Sequence, residues 1–203
     1  MGTAPKHILA QFFSYFLHPG ILPTAGTLYV LYVLPDVYDY ASILRLCGTV
    51  FMGTYLAPLI GTLLLRRTGV ISSIHLIDPK DRIYPYITSA ACMLATANYL
   101  SRGGAPIEII FSVLAAAIVL LYSTIVLPFF KSSAHMAGIT GFVALYIGMH
   151  ESYGSGNLQG LLYLTALCGA VAWARTSLKR HTPRELLSGS IIGFSVLFIL
   201  LSK

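Results

Sequence analysis

Residues 158–201 read LQGLLYLTALCGAVAWARTSLKRHTPRELLSGSIIGFSVLFILL, in which a charged junction separates two apolar runs. The junction, from Arg175 to Glu185, concentrates ionisable side chains in a chain of which only 10% is charged. Each apolar run approaches the length of about 20 residues that an α-helix needs to cross a bilayer. Because ionisable groups are unfavourable near lipid, a cluster of them between two spanning helices indicates a functional site.

The same alternation of apolar runs and short polar segments continues over the rest of the chain. Hydrophobic residues make up 56% of the sequence, and the charged fraction is far below the roughly 25% of soluble domains. These features predict an all-α fold, a polytopic transmembrane helical bundle in a single domain over 1–203. The predicted spans, six or seven depending on whether 8–17 lies in the interface, are 8–34 (broken at His18-Pro19-Gly20 and Pro23), 43–65, 84–100, 106–129, 134–149, 158–174 and 186–201.

Charge and cysteine content restrict the partners and cofactors. The net charge is +6, but the basic residues lie at the ends of apolar runs and form no face that fits a nucleic acid duplex. We therefore expect anionic lipid headgroups or a phosphate substrate as partners. Cys47, Cys92 and Cys168 lie inside apolar runs and are expected to be small buried side chains without disulfide or metal partners. The amino terminus lacks a small-residue cleavage site, so we predict no cleaved signal peptide.

Helix counting places three polar clusters on one side of the membrane. If all seven runs span, the amino terminus, the loop 68–82 and the junctions 131–135 and 175–185 share one face. The Lys and Arg residues of the chain are concentrated on this face, and the positive-inside rule then predicts that it is cytoplasmic.

The first two clusters each allow a functional and a structural interpretation. In 78–85, Lys80 and Arg82 can neutralise phosphate oxygens, or they belong to a solvated loop whose basic side chains reach the interface. In 131–135, Ser133 and the backbone N–H groups at a helix start form an anion site, and His135 can donate a proton. The alternative is a serine helix cap followed by an interfacial histidine.

The third cluster is the junction itself. His181 and Glu185 are four residues apart and share a helix face if the last helix begins before the apolar run 186–201. A carboxylate that accepts from Nδ1 would orient the imidazole and make it a better nucleophile, and Arg175 would hold an anion. The alternative is a basic loop that only fixes topology, to which Lys179, Arg180 and Arg184 would belong.

The sequence resembles the type 2 phosphatidic acid phosphatase (PAP2) superfamily, and more closely a divergent bacterial membrane branch of it. The family motif Ser-Arg-x5-His-x3-Asp is matched by Ala174 and Arg175-x5-His181-x3-Glu185, with Ala for Ser and Glu for Asp. The motif Pro-Ser-Gly-His is matched by the Ser and His of Ser132-Ser133-Ala134-His135, without its Pro and Gly.

Two further elements carry the resemblance. Arg82 corresponds to the Arg of the family's Lys-x6-Arg-Pro motif, although Pro85 follows three residues later and Lys80 is only two residues before it. The bacterial branch shares a His-Pro-x3-Pro-Thr start, here His18 to Thr24, and a Lys-x-Ser-Ala-His element, here Lys131 to His135.

The resemblance implies a lipid phosphate phosphatase of the bacterial inner membrane that uses a phosphohistidine intermediate and needs no metal or other cofactor. His181 would be the nucleophile, Glu185 would orient it, and His135 would protonate the leaving oxygen and later activate water. The lipid tail would lie in the bilayer. The phosphoryl oxygens would be held by Arg175, Arg82, Ser133 and Lys80.

Other functions stay open on the sequence. A phosphotransferase would pass the phosphoryl group of the same intermediate to an alcohol. A transporter or lipid-binding protein would use the basic face only to hold an anion. The departures from the first motif also allow a catalytically inactive PAP2-like scaffold.

Overall fold

The computed structural model describes residues 5–34, 38–74, 76 and 78–202, and within this part of the chain the regular elements are helices without any strand. The all-α prediction is therefore confirmed. The α-helices are α1 (Pro5–Phe16), α2 (Leu22–Val33), α3 (Tyr40–Phe51), α4 (Ala57–Arg67), α5 (Ile83–Arg102), α6 (Ile107–Val126), α7 (Ala134–Tyr153), α8 (Leu158–Ser177) and α9 (Pro183–Leu201). A π-helical turn, Met52–Leu56, joins α3 to α4, and a 3₁₀ turn, Pro79–Arg82, precedes α5.

Three of the described helices are long and apolar enough to cross a membrane. They are the continuous helix Tyr40–Arg67, α6 and α9. The chain therefore has the helices of a membrane protein. Helices α5, α7 and α8 have 20 residues each, which covers about 30 Å, but the predicted six or seven spans remain a prediction.

The first predicted span consists of two helices. Helix α1 ends at Phe16 and α2 begins at Leu22, so the break falls at His18-Pro19-Gly20 as the sequence indicated. Pro23 does not interrupt α2, because it lies in the first turn, where a proline removes no intrahelical hydrogen bond. The predicted loop 35–42 lies partly outside the described residues, and α3 begins at Tyr40, where the Asp39 side chain caps it by accepting from the Ser42 N–H at 2.9 Å.

Close packing of α7 against α9 positions the polar junctions. A Cβ atom added at Gly189 would lie 2.3 Å from the carbonyl oxygen of Ser133, and one at Gly193 would lie 2.1 Å from that of Ala137. Only glycine allows this approach of the two backbones, as in other small-residue helix contacts in membranes. The Ser133 N–H donates to the Glu185 carbonyl at 3.1 Å. The start of α7 is thereby fixed beside the start of α9.

Candidate active site

The starts of α5, α7 and α9 and the end of α8 meet at one end of the bundle, which we call the site end. A cavity of about 610 Å³ opens there. Four of the predicted site residues, Arg82, His135, Arg175 and His181, line this cavity although they come from three separate polar clusters of the sequence. The convergence expected from helix counting is therefore present in the fold.

The junction between α8 and α9 reverses the chain in a compact turn. Lys179 has a left-handed backbone with φ of 54°, and the Arg180 N–H donates to the Arg175 carbonyl at 3.0 Å. This pattern is the Schellman motif that closes many helices. Helix α9 then starts with a capping box, in which Thr182 and Glu185 bond reciprocally to each other's backbone N–H. The turn places His181 between the two helix ends.

His181 and Glu185 form a buried pair. His181 Nδ1 lies 3.0 Å from Glu185 Oε2, and the side chains are only 4% and 13% exposed. A carboxylate oxygen can only accept, so Nδ1 carries the proton and donates. This leaves Nε2 as the ring nitrogen with a free lone pair, on a side chain that lines the cavity. Glu185 Oε2 also accepts from the Thr182 N–H at 3.1 Å, which fixes the carboxylate.

Burial and positive charge keep this imidazole neutral. Burial lowers the pKa of His181, and the positive charge of Arg175 lowers it further, while the Glu185 carboxylate acts in the opposite direction. The neutral form is the nucleophilic form of histidine. At neutral pH the geometry and the pKa therefore both favour His181 as a nucleophile.

His135 lies in the first turn of α7, after Ser133 at the cap position. Its Nε2 is 3.1 Å from the Ser14 carbonyl oxygen, which can only accept, so Nε2 carries a proton. Nδ1 is then the nitrogen that can exchange a proton with a substrate. The His135 ring also contacts the edge of His18, with 5.7 Å between the ring centroids.

Three arginines line the cavity, Arg82, Arg175 and Arg180. Arg82 is 9% exposed and donates from Nε to the Leu76 carbonyl at 3.0 Å. Arg175 donates from Nη1 to Ser14 Oγ at 3.3 Å, while its Nε is buried without a partner. In the part of the chain that the structure describes, none of the three guanidinium groups pairs with a carboxylate, and no Asp or Glu is among the described residues that line the cavity. The site end therefore suits an anionic ligand.

Two predicted phosphate-binding residues are not brought to the cavity. Lys80 is exposed on the 3₁₀ turn, outside the cavity wall. Ser133 is fully buried, and its hydroxyl accepts from the Met136 N–H at 3.4 Å as the cap of α7. The structural interpretation of Ser133 as a helix cap is thus present in the fold, and phosphate binding by either residue remains a prediction without support from this geometry.

Sequence reasoning missed polar residues of the cavity wall, among them Arg180, which it assigned to a basic loop. His18 lines the cavity and accepts from the Gly20 N–H at Nδ1, at 3.2 Å. Ser14 contacts both His135 and Arg175 from α1. The His-Pro-x3-Pro-Thr element was a signal for His18, but nothing in the apolar α1 sequence distinguished Ser14.

The cavity continues from the site end into the apolar interior. Its inner walls come from α2, α5, α6, α7 and α9 and carry mostly small or apolar side chains. They include Gly26, Met93, Ser112, Ala115, Ala116, Val119, Gly141, Phe142, Leu145, Gly193 and Leu197. The cavity thus has a cationic end and an apolar body.

Comparison with protein-family models, curated proteins and solved structures finds no match for this chain.

Proposed function

We propose that this chain is a membrane phosphatase that removes the phosphoryl group of a phosphorylated lipid through a phosphohistidine on His181. The observation that carries the proposal is the His181–Glu185 pair, which leaves Nε2 of His181 free on a side chain that lines a cavity together with Arg82, Arg175 and Arg180. Among the described residues, none of these arginines has a carboxylate partner. Covalent phosphoryl transfer needs a nucleophile that a neighbouring carboxylate orients, and fixed positive charges beside it that bind the phosphoryl oxygens.

In the first step, His181 Nε2 attacks phosphorus and the bond from phosphorus to the lipid oxygen breaks. Glu185 compensates the positive charge that develops on the imidazole. Arg82 and Arg175 stabilise the charge on the phosphoryl oxygens of the transition state. The departing alkoxide takes up a proton from His135 Nδ1, which carries the proton that it accepted from the attacking water of the preceding turnover.

In the second step, water attacks the phosphohistidine and releases inorganic phosphate. His135, held by the Ser14 carbonyl, accepts the proton of the attacking water through Nδ1. The His181–phosphorus bond breaks and the imidazole returns to its neutral form, with Nδ1 still bonded to Glu185.

The proposal is tested by phosphate release from purified protein. Phosphatidic acid, lysophosphatidic acid and an isoprenyl pyrophosphate are incubated with the wild type and with His181→Ala, with and without EDTA. We expect EDTA-resistant release by the wild type alone. Release that survives in His181→Ala would exclude His181 as nucleophile, and tight lipid binding without any release would favour a transporter or an inactive scaffold.

We also propose that the chain crosses a bacterial inner membrane six or seven times with the site end in the cytoplasm. The support is the basic residues around this end, since the positive-inside rule applies to short loops such as 178–182. A cysteine introduced at the exposed Ser177 should be labelled by a membrane-impermeant maleimide only after the membrane is opened. Labelling in intact spheroplasts above the level of the wild type, which measures the reaction of the native cysteines, would show that the site end faces outward.

A further inference from the structure

The part of the cavity beyond the catalytic groups has no role in the chemistry of His181. Along α7 it extends from His135 to Leu145, about 15 Å at the rise of an α-helix. Along α9 it reaches Gly193 and Leu197, still deeper in the bundle. The cationic groups lie only at one end of this space.

We infer that this space is a binding channel for the tail of a single-chain lipid phosphate, so that the tail enters the helical bundle instead of lying in the bilayer. The inference rests on the proposed function for the position of the phosphate. The channel has the polarity of such a ligand, cationic at the head and apolar along the tail. The shape of such a cavity determines which ligands it accepts.

The volume favours one chain over two. A methylene group occupies about the volume of a water molecule in the liquid, roughly 30 Å³. The cavity of about 610 Å³ therefore holds a phosphate and one chain of moderate length. Two chains of a common diacyl lipid would need on the order of 1,000 Å³ on the same basis.

Small side chains keep the channel open. Gly26, Gly141 and Gly193 line it together with Ala115 and Ala116. Gly26 and Gly193 also permit close helix contacts, since a Cβ at Gly26 would lie 2.9 Å from a Leu145 methyl. Ala116 is different, because it lines the cavity and already carries a Cβ on α6. Enlarging Ala116 should shorten the channel without displacing a backbone.

Binding of alkyl phosphonates tests the channel independently of catalysis, because their carbon–phosphorus bond gives the proposed phosphatase no ester to hydrolyse. Affinities of hexylphosphonate and decylphosphonate are measured in nanodiscs for the wild type, Ala116→Leu and Ala95→Leu. Ala95 is exposed on α5, outside the cavity wall, and serves as the matched control. Each buried methylene contributes about fourfold in affinity.

We expect Ala116→Leu to weaken decylphosphonate binding by about tenfold or more, because the larger side chain excludes at least two methylene groups of the decyl chain from the channel. The affinity for the shorter hexylphosphonate should change by less than about threefold. Ala95→Leu should bind both as the wild type does. Equal affinities in all three proteins, or no phosphonate binding by the wild type, would overturn the channel. If the proteins lack phosphatase activity but show the expected pattern, the proposed function fails and the channel stands.

A second measurement needs no substituted protein. A decylphosphonate with a diazirine at its terminal carbon is photoactivated on the wild type, and the labelled residues are mapped by mass spectrometry. Labels on Ser112, Met93 or Leu197 are expected. Labels confined to lipid-exposed residues such as Ile125 and Leu187 would contradict the inference.

Discussion

The site end and the opposite end of the bundle both carry polar side chains, but the two ends differ in how far these side chains have hydrogen-bond partners within the protein. At the opposite end, Tyr153 donates to the buried Glu108 at 2.7 Å, and Tyr146 both donates to the Asn157 carbonyl at 3.0 Å and accepts from its N–H at 2.7 Å. His150 bonds to the Ser155 carbonyl at 2.8 Å. These polar groups therefore form hydrogen bonds with other groups of the protein.

At the site end, the polar groups remain available. Arg175 Nε is buried without a partner, and His181 uses one ring nitrogen and leaves the other free. Buried polar atoms are normally paired, so exceptions call for a specific explanation. The difference teaches that polarity at a helix end does not by itself indicate function; unmet hydrogen-bonding capacity beside a cavity is the better indicator.

The largest expected difference between the two ends concerns their histidines. His181→Ala should lower phosphate release by about a thousandfold or more, because the covalent step loses its nucleophile. His150→Ala at the opposite end should retain activity within about threefold, since His150 only closes a turn. Steady-state release from the best lipid substrate measures both. Comparable losses of phosphate release in the two variants would show that the two ends do not differ in their role in catalysis.

The arginines give the next largest contrast. Arg175→Ala should lower kcat by about a hundredfold to a thousandfold, the usual consequence of removing a preorganised donor to a transition-state oxygen. The control is Arg102→Ala, because Arg102 is an exposed cation at the far end of α5. Its activity should be unchanged. If both variants lost activity equally, the loss would reflect overall charge and not the site.

The orienting carboxylate is expected to have a smaller effect. Glu185→Gln keeps an oxygen that accepts from His181 but removes the negative charge, so we expect a loss of about a hundredfold in kcat. Glu108→Gln, which still accepts from Tyr153, should be neutral. Activity of Glu185→Gln at the wild-type level, with the same folding stability, would leave Glu185 with only its role in the capping box.

The pH dependence of His181 sharpens the contrast further. Because burial and Arg175 lower its pKa below the ordinary value of about 6.5, the imidazole stays neutral as pH falls through that value. Arg175→Gln removes the larger of the two arginine contributions, while burial and Arg82 still lower the pKa, so the pKa should rise and protonation should begin at higher pH. Lys179→Gln, at an exposed position, should leave it unchanged. NMR of ¹⁵N-labelled histidine measures the midpoint, and an unchanged or lower value in Arg175→Gln would contradict the assigned cause.

The smallest effect on activity is expected from Tyr153→Phe. The substitution leaves the buried Glu108 without its donor and should lower the free energy of unfolding by about 1–2 kcal/mol. Phosphate release should not change. Thermal unfolding in detergent is compared with that of Tyr99→Phe, whose side chain is 63% exposed. A loss of activity at unchanged stability would show that the opposite end also takes part in function.

The helices and the gathering of Arg82, His135, Arg175 and His181 could be predicted from the sequence. Apolar length identifies a helix, and each spanning helix reverses the side of the next loop, so the three clusters had to meet if the helix count held. The pairing of His181 with Glu185 was predicted from a shared helix face, but its physical reason is different. His181 precedes the N-cap Thr182, and Glu185 reaches back to both residues from the first turn of α9.

The rest of the site depends on tertiary packing that the sequence does not encode locally. Ser14 reaches the site because α1 packs against α8, and His18 because the chain turns between α1 and α2. The apolar part of the cavity was also missed, since lipid-facing and cavity-facing residues are equally apolar and periodicity cannot separate them. Lys80 and Ser133 were predicted from motif position, whereas their side-chain directions depend on the 3₁₀ turn and on the start of α7.

The most direct test of the account is to trap the covalent intermediate. Wild-type protein and His181→Ala are mixed with a ³²P-labelled single-chain lipid phosphate, quenched in alkali within milliseconds, and digested for mass spectrometry. The account predicts label that is stable in alkali and lost in acid, as a phosphoramidate is, on the peptide containing His181 and absent from the variant. Turnover without any such label, or label on another residue, would contradict it.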